Sequence, residues 1–132
     1  MIADYHQFHL NLLKIASNNL LRQAPFNQDE LPENELEFQQ QLIALVADLE
    51  QQRGDYIESG QQILARLVRH YPDLVPLVPR DLFWLFGGEL LHFMPDDEIE
   101  IFQQLDEERY AAEAAGEPFN YEEARARILG LH

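Results

Sequence analysis

Residues 53–58 read Arg-Gly-Asp-Tyr-Ile-Glu, and this short stretch decides how the middle of the chain folds. Gly54 suits the left-handed position that commonly ends an α-helix. Asp55, followed three residues later by Glu58, forms a capping box, which satisfies the free N–H groups at the start of the next helix. The stretch therefore predicts two antiparallel helices joined by a tight turn, the second of which runs to about Tyr71.

Helical patterning continues on the N-terminal side of this turn. Apolar residues recur at helical spacing over about residues 3–23 and 33–53. Strand signals are almost absent, since the chain contains no threonine and no long stretch alternates apolar with polar residues. Pro25 ends the first helix, and Pro32 suits the first turn of the second. The expected inward residues are Ile2, Tyr5, His9, Leu12, Leu13, Ala16 and Leu20 in the first helix, and Leu36, Leu42, Ile43, Val46 and Leu49 in the second.

Prolines and a long apolar run organise the second half. Pro72, Pro76 and Pro79 predict a stiff, extended connection, which is the place where the domain would subdivide. The most apolar segment follows at residues 82–94 and is expected to form the central core helix. It is too short to cross a bilayer as a helix, which needs about 20 residues. Its Gly87-Gly88 pair predicts a packing contact or a kink.

Two more helices are expected towards the C-terminus. Asp97 and Glu100 form a capping box for a helix over about residues 97–115, and Asn120 with Glu123 caps a short last helix. The sequence thus predicts one all-α domain over residues 1–132. Its five to six helices would pack as antiparallel hairpins, in a bundle or a short repeat-like stack.

The central hairpin also carries a longer pattern. Its residues are Ile43, Val46 and Ala47, then Arg53, Gly54, Asp55, Tyr56, Ser59, Ile63, Leu64, Leu67 and Pro72. In this order they resemble a tetratricopeptide repeat over about residues 39–72. A second, degenerate copy would begin at Phe83, with Phe86 and Gly87 in the same relative places, and extend to about residue 104. The resemblance implies stacked helical pairs and a protein-binding role.

The charge of the chain limits its partners. It has 24 acidic and 9 basic residues, for a formal net charge of −15. Such a charge repels phosphate backbones and anionic lipid, so neither direct nucleic-acid binding nor membrane binding is expected. A basic protein would be attracted, and an acidic mimic of DNA is the alternative that uses the same charge. The chain has no cysteine and no signal-peptide pattern, which favours the cytoplasm.

Residues suited to catalysis are few. Only Ser17 and Ser59 could supply a hydroxyl nucleophile, and neither follows a nucleophile-elbow pattern. No glycine-rich phosphate loop occurs in the sequence. We therefore expect no catalytic residue and no cofactor.

One pair of residues nevertheless fits metal chemistry. Glu89 and His92 are three positions apart, which places both side chains on one helix face, as in di-iron proteins. His6 and His9 have the same spacing and could add two imidazoles. These four residues define the alternative hypothesis, a metal-binding protein or metal-dependent enzyme. The simpler interpretation is a partly buried acid beside a core histidine, because spacing alone supplies only two ligands.

The leading hypothesis is a non-enzymatic interaction or regulatory module. A segment that is apolar on nearly every side is hard to enclose among short helices, so part of it should line a partner or homodimer interface. The acidic run that follows would attract a basic partner. The predicted interaction residues are Phe83, Trp84, Phe86 and Phe93 for apolar contact, and Asp96, Asp97, Glu98 and Glu100 for electrostatic steering.

Overall fold

The computed structural model of the protein describes the backbone of residues 2–130 and the side chains of residues 5–130. Within these residues there is no strand, and the all-α prediction is confirmed. The elements in chain order are α1 (Ile2–Leu21), α2 (Glu33–Gln51), α3 (Tyr56–His70), a first 3-10 helix (Pro72–Leu77), α4 (Arg80–Phe86), a second 3-10 helix (Gly88–Phe93), α5 (Asp96–Ala114) and α6 (Tyr121–Leu129). None of the described helices is long and apolar enough to cross a lipid bilayer.

The turn between α2 and α3 forms as predicted, with one shift. The Asp55 side chain accepts a hydrogen bond from the Glu58 N–H at 3.1 Å, and α3 packs on α2. However, the left-handed cap of α2 is Gln52, with φ of 51°, and not Gly54. The helix ends early because the Arg53 N–H bonds back to the Asp48 carbonyl, while its guanidinium binds the Asp48 carboxylate.

The buried face of α2 differs from the prediction. Its buried residues are Phe38, Leu42, Leu45 and Leu49. Leu36 and Ile43, both predicted to point inward, are instead 41% and 55% exposed. Two apolar stripes overlap on this helix, and the stripe that contains Phe38 is the buried one. The Phe38 ring packs between Phe26 and Tyr71, and its centroid lies 5.2 Å from the centroid of each of these rings.

The proline-rich link is helical and not extended. Residues 72–77 form a 3-10 helix that packs against α1 and α3. Pro72 occupies its first turn, where a missing N–H costs nothing. The 3-10 hydrogen bonds use other donors, since the Leu74 N–H bonds to the Tyr71 carbonyl and the Val78 N–H to the Val75 carbonyl, both at 3.0 Å. The predicted extended connection is therefore wrong.

The apolar segment 82–94 is two elements instead of one core helix. α4 ends at Phe86, and Gly87 follows with φ of 67° and ψ of −144°, a conformation open essentially to glycine alone. The Gln61 side chain donates a hydrogen bond to the Phe86 carbonyl oxygen at 2.7 Å, which satisfies a group that the break leaves free. With only seven residues, α4 is also too short to serve as the first helix of a second tetratricopeptide-like pair.

The last two helices lie close to their predicted places. Pro95 precedes α5, and Asp97 already lies inside the first turn of this helix. The Asp97 carboxylate accepts a hydrogen bond from the Glu98 N–H, so the predicted capping box with Glu100 does not form. α6 is capped as predicted, because the Asn120 side chain accepts a hydrogen bond from the Glu123 N–H at 3.0 Å. α6 packs against α1 and α5, which brings the C-terminal end of the described chain onto the N-terminal helix.

Candidate functional site

The aromatic residues predicted for partner contact separate into a buried and an exposed set. Phe83 and Phe86 are 0% and 2% exposed and belong to the core. Phe86 lies directly over Gly60 of α3, where a side chain of any size would collide with its ring. Burial therefore removes both from any partner surface of this fold. Phe93, at the end of the second 3-10 helix, is 42% exposed.

Trp84 is partly buried and has a structural partner. Its indole Nε1 donates a hydrogen bond to Asp106 Oδ2 at 2.8 Å, and its ring stacks on Phe102 with a centroid distance of 6.1 Å. Both contacts join α4 to α5. Trp84 thus stabilises the position of the acidic helix and offers a partner only part of its ring.

Arg80 organises the backbone around the exposed aromatic residue. Its Nη2 donates to the Phe93 carbonyl oxygen at 2.5 Å, and its Nε donates to Glu98 Oε1 at 3.0 Å. The guanidinium also lies 4.6 Å from the Phe83 ring centroid. Glu98 is therefore neutralised locally and is poorly suited to the steering role predicted for it.

The other three predicted steering residues lie on the surface. Asp96, Asp97 and Glu100 are exposed, and none of them forms an ion pair within the described part of the chain. We call Phe93 and these three carboxylates the partner edge. It presents one apolar ring beside three negative charges on a short stretch of chain.

A second group of polar side chains lies inside the protein, where α1, α4, α5 and α6 meet. His9 is 1% exposed and packs against Tyr5 and Tyr121, with ring centroids 4.3 and 5.2 Å away. Its Nδ1 lies 2.8 Å from the Tyr5 carbonyl oxygen and must carry the hydrogen, because a carbonyl only accepts. Its Nε2 is buried without a hydrogen-bond partner among the described residues. Burial lowers the pKa of His9, so the ring is neutral.

An ion pair between Arg125 of α6 and Asp81 of α4 lies at the edge of this cluster. Asp81 is 2% exposed, and Arg125 donates to both of its carboxylate oxygens, at 2.6 and 3.0 Å. Burial, with a smaller effect of the Asp106 carboxylate, raises the pKa of Tyr5 to about 12, and burial also raises the pKa of Tyr121. Both phenols therefore stay protonated at neutral pH. The cluster combines a neutral imidazole, neutral phenols and a compensated carboxylate, and it holds α6 against α1 and α4.

Neither Asp81 nor Arg125 was predicted as a special residue. The available signal was weak: Asp81 is an acid placed directly before the most apolar segment of the chain, where a charge needs a partner. Nothing in the sequence identifies Arg125, 44 residues away, as that partner.

The four metal candidates do not converge. His6 and His9 belong to α1, whereas Glu89 and His92 are exposed on the second 3-10 helix. Across residues 5–130, no three histidine or carboxylate side chains are placed to hold one metal ion. The expectation of a partly buried Glu89 and a core His92 is also wrong, because the break at Gly87 leaves only Leu90 of this short helix in the core.

Comparison with known proteins finds a match to one family model. Neither the curated proteins nor the solved structures contain a match to the chain. A family model described as PA2817-like matches residues 1–132, which is every residue of the sequence. The chain therefore belongs to the PA2817-like family.

Proposed function

We propose that the protein is a non-enzymatic interaction or regulatory module that binds a basic protein at the partner edge. The observation that carries this proposal is Phe93, an exposed aromatic ring on a backbone that Arg80 holds in place. Aromatic rings are enriched at protein interfaces because they bury a large apolar area with few rotatable bonds. A rigid attachment also lowers the entropy lost when a partner binds.

The charge around Phe93 specifies the chemistry of the partner. α5 carries eight acidic residues and one basic residue, Arg109. A partner segment with an apolar side chain among lysines or arginines would be complementary to the Phe93 ring and the carboxylates beside it. Charge attraction of this kind mainly raises the association rate, and salt screens it. Binding at the partner edge should therefore weaken as ionic strength rises.

The test compares captured proteins from a native lysate for three forms of the full chain. The first is the wild type and the second is Phe93→Ala. The third is the triple variant Asp96→Asn, Asp97→Asn and Glu100→Gln, which removes the exposed charges of the partner edge. We expect a basic protein that the wild type captures at low salt, and that both variants lose. Trp84→Ala is a poor choice here, because it would also break the hydrogen bond to Asp106.

A matched control removes the same number of charges elsewhere. Glu107, Glu113 and Glu117 are exposed on the C-terminal part of α5 and just beyond it. Changing these three to Gln should leave capture unchanged if the partner edge is the binding surface. Equal loss in both triple variants would show that net charge alone matters. Equal capture by the wild type and Phe93→Ala would refute the proposed site.

A further inference from the structure

We infer that two copies of this chain associate through the outer face of α1 and α2. We call this surface the neutral face and define it by the exposed side chains Asn11, Ile15, Asn18, Leu36, Gln40 and Ile43. It is separate from the partner edge, so the inference stands or fails independently of the proposed function.

The first argument is the exposure of aliphatic side chains. Ile15 is 59% and Ile43 is 55% exposed, and Leu36 is 41% exposed. These are three of the five large apolar residues that are exposed within the described part of the chain. They belong to two helices that pack against each other. Ile43 lines the same groove as Asn18, which follows Ile15 by three positions on α1, so these residues are neighbours on the surface.

The second argument is charge. In a molecule of net charge −15, two copies repel each other wherever their acidic surfaces approach. From Tyr5 to Leu21 the only lysine, arginine or carboxylate side chain is Lys14, and from Phe38 to Ala47 there is none. Leu36 lies at the end of the face, where Glu33 and Glu37 are also exposed. Lys14 is itself neutralised, because its Nζ donates to Glu50 of α2 at 2.9 Å. A second copy is therefore the partner that we expect at this face, since a basic protein would be attracted more strongly to α5.

The third argument is shape. Ile43 borders a groove of about 280 Å³ between α1 and α2, together with Leu21 and Val46. Ile15 borders a groove of about 480 Å³ on the other side of α1, together with Phe8 and Leu12, and Glu122 of α6 lines its far edge. A two-fold axis through the neutral face lets exposed isoleucines of each copy enter grooves of the other, which is the self-complementarity that an isologous dimer requires.

The flat area of this face lies at the lower end of the range for specific interfaces. Two adjacent helices of about 20 residues form a face roughly 30 Å long and 20 Å wide, or about 600 Å². A stable dimer buries about 800 Å² per partner, and projecting side chains make the accessible area larger than this flat estimate.

Sedimentation equilibrium on the full chain, at about 50 mM and about 500 mM NaCl, tests the inference because these salt concentrations change the screening length several-fold. We expect a dimer whose dissociation constant decreases with salt, since salt weakens the repulsion between copies. The double variant Ile15→Glu and Ile43→Glu should raise the dissociation constant about 100-fold, at roughly tenfold for each substituted position counted over both copies. Its circular dichroism should match the wild type, because both side chains are exposed.

The control is Tyr110→Glu, which introduces the same residue at a position 56% exposed on α5. It should leave the dimer intact. The inference is overturned if the wild type is monomeric at both salt concentrations, if the double variant dimerises as tightly as the wild type, or if Tyr110→Glu has the same effect. A nitroxide on Asn18→Cys adds a direct readout, because the chain has no other cysteine. The EPR spectrum of this label should be broadened by the label on the other copy, whereas the spectrum of a label on Glu107→Cys should not. Equal broadening of the two spectra would also overturn the inference.

Discussion

Arg125 in α6 binds both carboxylate oxygens of Asp81 in α4, although the two residues are 44 positions apart in the sequence. Removing the arginine would leave a carboxylate that is 2% exposed without a counter-charge. Breaking a buried pair in this way typically costs about 3–5 kcal/mol. We expect Arg125→Met to lower the free energy of unfolding by this amount in urea denaturation.

Arg127→Met is the matched control for this experiment. Arg127 lies two residues further along α6 and pairs with Glu108, but its side chain is 54% exposed. Surface ion pairs contribute about 0–1 kcal/mol, so the control should unfold nearly as the wild type does. Similar losses in the two variants would show that the Asp81 pair has no special importance.

Gly60→Ala should destabilise the protein through the Phe86 ring. An added Cβ would overlap ring carbons Cδ1, Cε1 and Cγ of Phe86, which is fully buried and cannot move away freely. Overpacking of a core typically costs about 1–3 kcal/mol, which exceeds the gain in helix propensity of about 1 kcal/mol for replacing glycine with alanine. Thermal unfolding measures the loss. Phe86→Leu in the same chain should restore part of it, whereas Gln62→Ala, at an exposed position of α3, should have little effect.

Acidic pH should destabilise the fold through His9. Burial lowers its pKa in the folded protein. The hydrogen bond to the Tyr5 carbonyl and the carboxylates of Asp81 and Asp106 act in the opposite direction, and Arg109 acts in the same direction. The unfolded chain therefore binds a proton more readily than the folded chain, and stability is lost as the pH falls from about 6.5 towards the lowered pKa. The loss is at most about 1.4 kcal/mol per pH unit.

The measurement is urea denaturation of the wild type and His9→Phe between about pH 7 and pH 5, where an ordinary histidine titrates. The variant should show a smaller decrease in stability over this range. His70→Phe is the control, because His70 is exposed, and it should follow the wild type. Parallel curves for all three proteins would contradict the assignment of the acid sensitivity to His9.

Asp106→Ala should loosen the junction of α4 and α5. The change removes the acceptor of the Trp84 indole N–H and a partner of Arg109, which lies 3.4 Å away. Leaving a partly buried donor unsatisfied costs about 1–3 kcal/mol. Since Trp84 is the only tryptophan, its fluorescence should shift to longer wavelength as water gains access. Glu107→Ala, at the exposed neighbouring position, should leave both the emission and the stability unchanged.

The sequence predicts the fold class well because local signals dominate it. Asp55 and Asn120 cap their helices as expected, since a short polar side chain and the N–H three residues later are close in any helix start. Prediction from the sequence fails where tertiary packing determines which side chains are buried. Two apolar stripes overlap on α2, and only the ring contacts of Phe38 determine that Ile43 faces outward.

The site is less predictable than the fold for the same reason. Phe93 is one of the four aromatic residues predicted for partner contact, and it is exposed, whereas Phe83 and Phe86 are buried. Hydrophobicity alone does not distinguish the three phenylalanines. The burial of Phe83 and Phe86 depends on the close approach of Gly60 and on the break at Gly87, which both arise from the three-dimensional arrangement. The partnership of Asp81 with a residue of α6 is likewise invisible to any local pattern.

The charged side chains are unevenly distributed over the helices. With eight carboxylates on α5 and almost no charge along α1 and the middle of α2, a charged molecule that approaches experiences a stronger field near α5 before it makes contact. A cationic protein is attracted towards α5. Another copy of this chain is repelled by α5, so long-range electrostatics favour encounters that keep the two acidic helices apart.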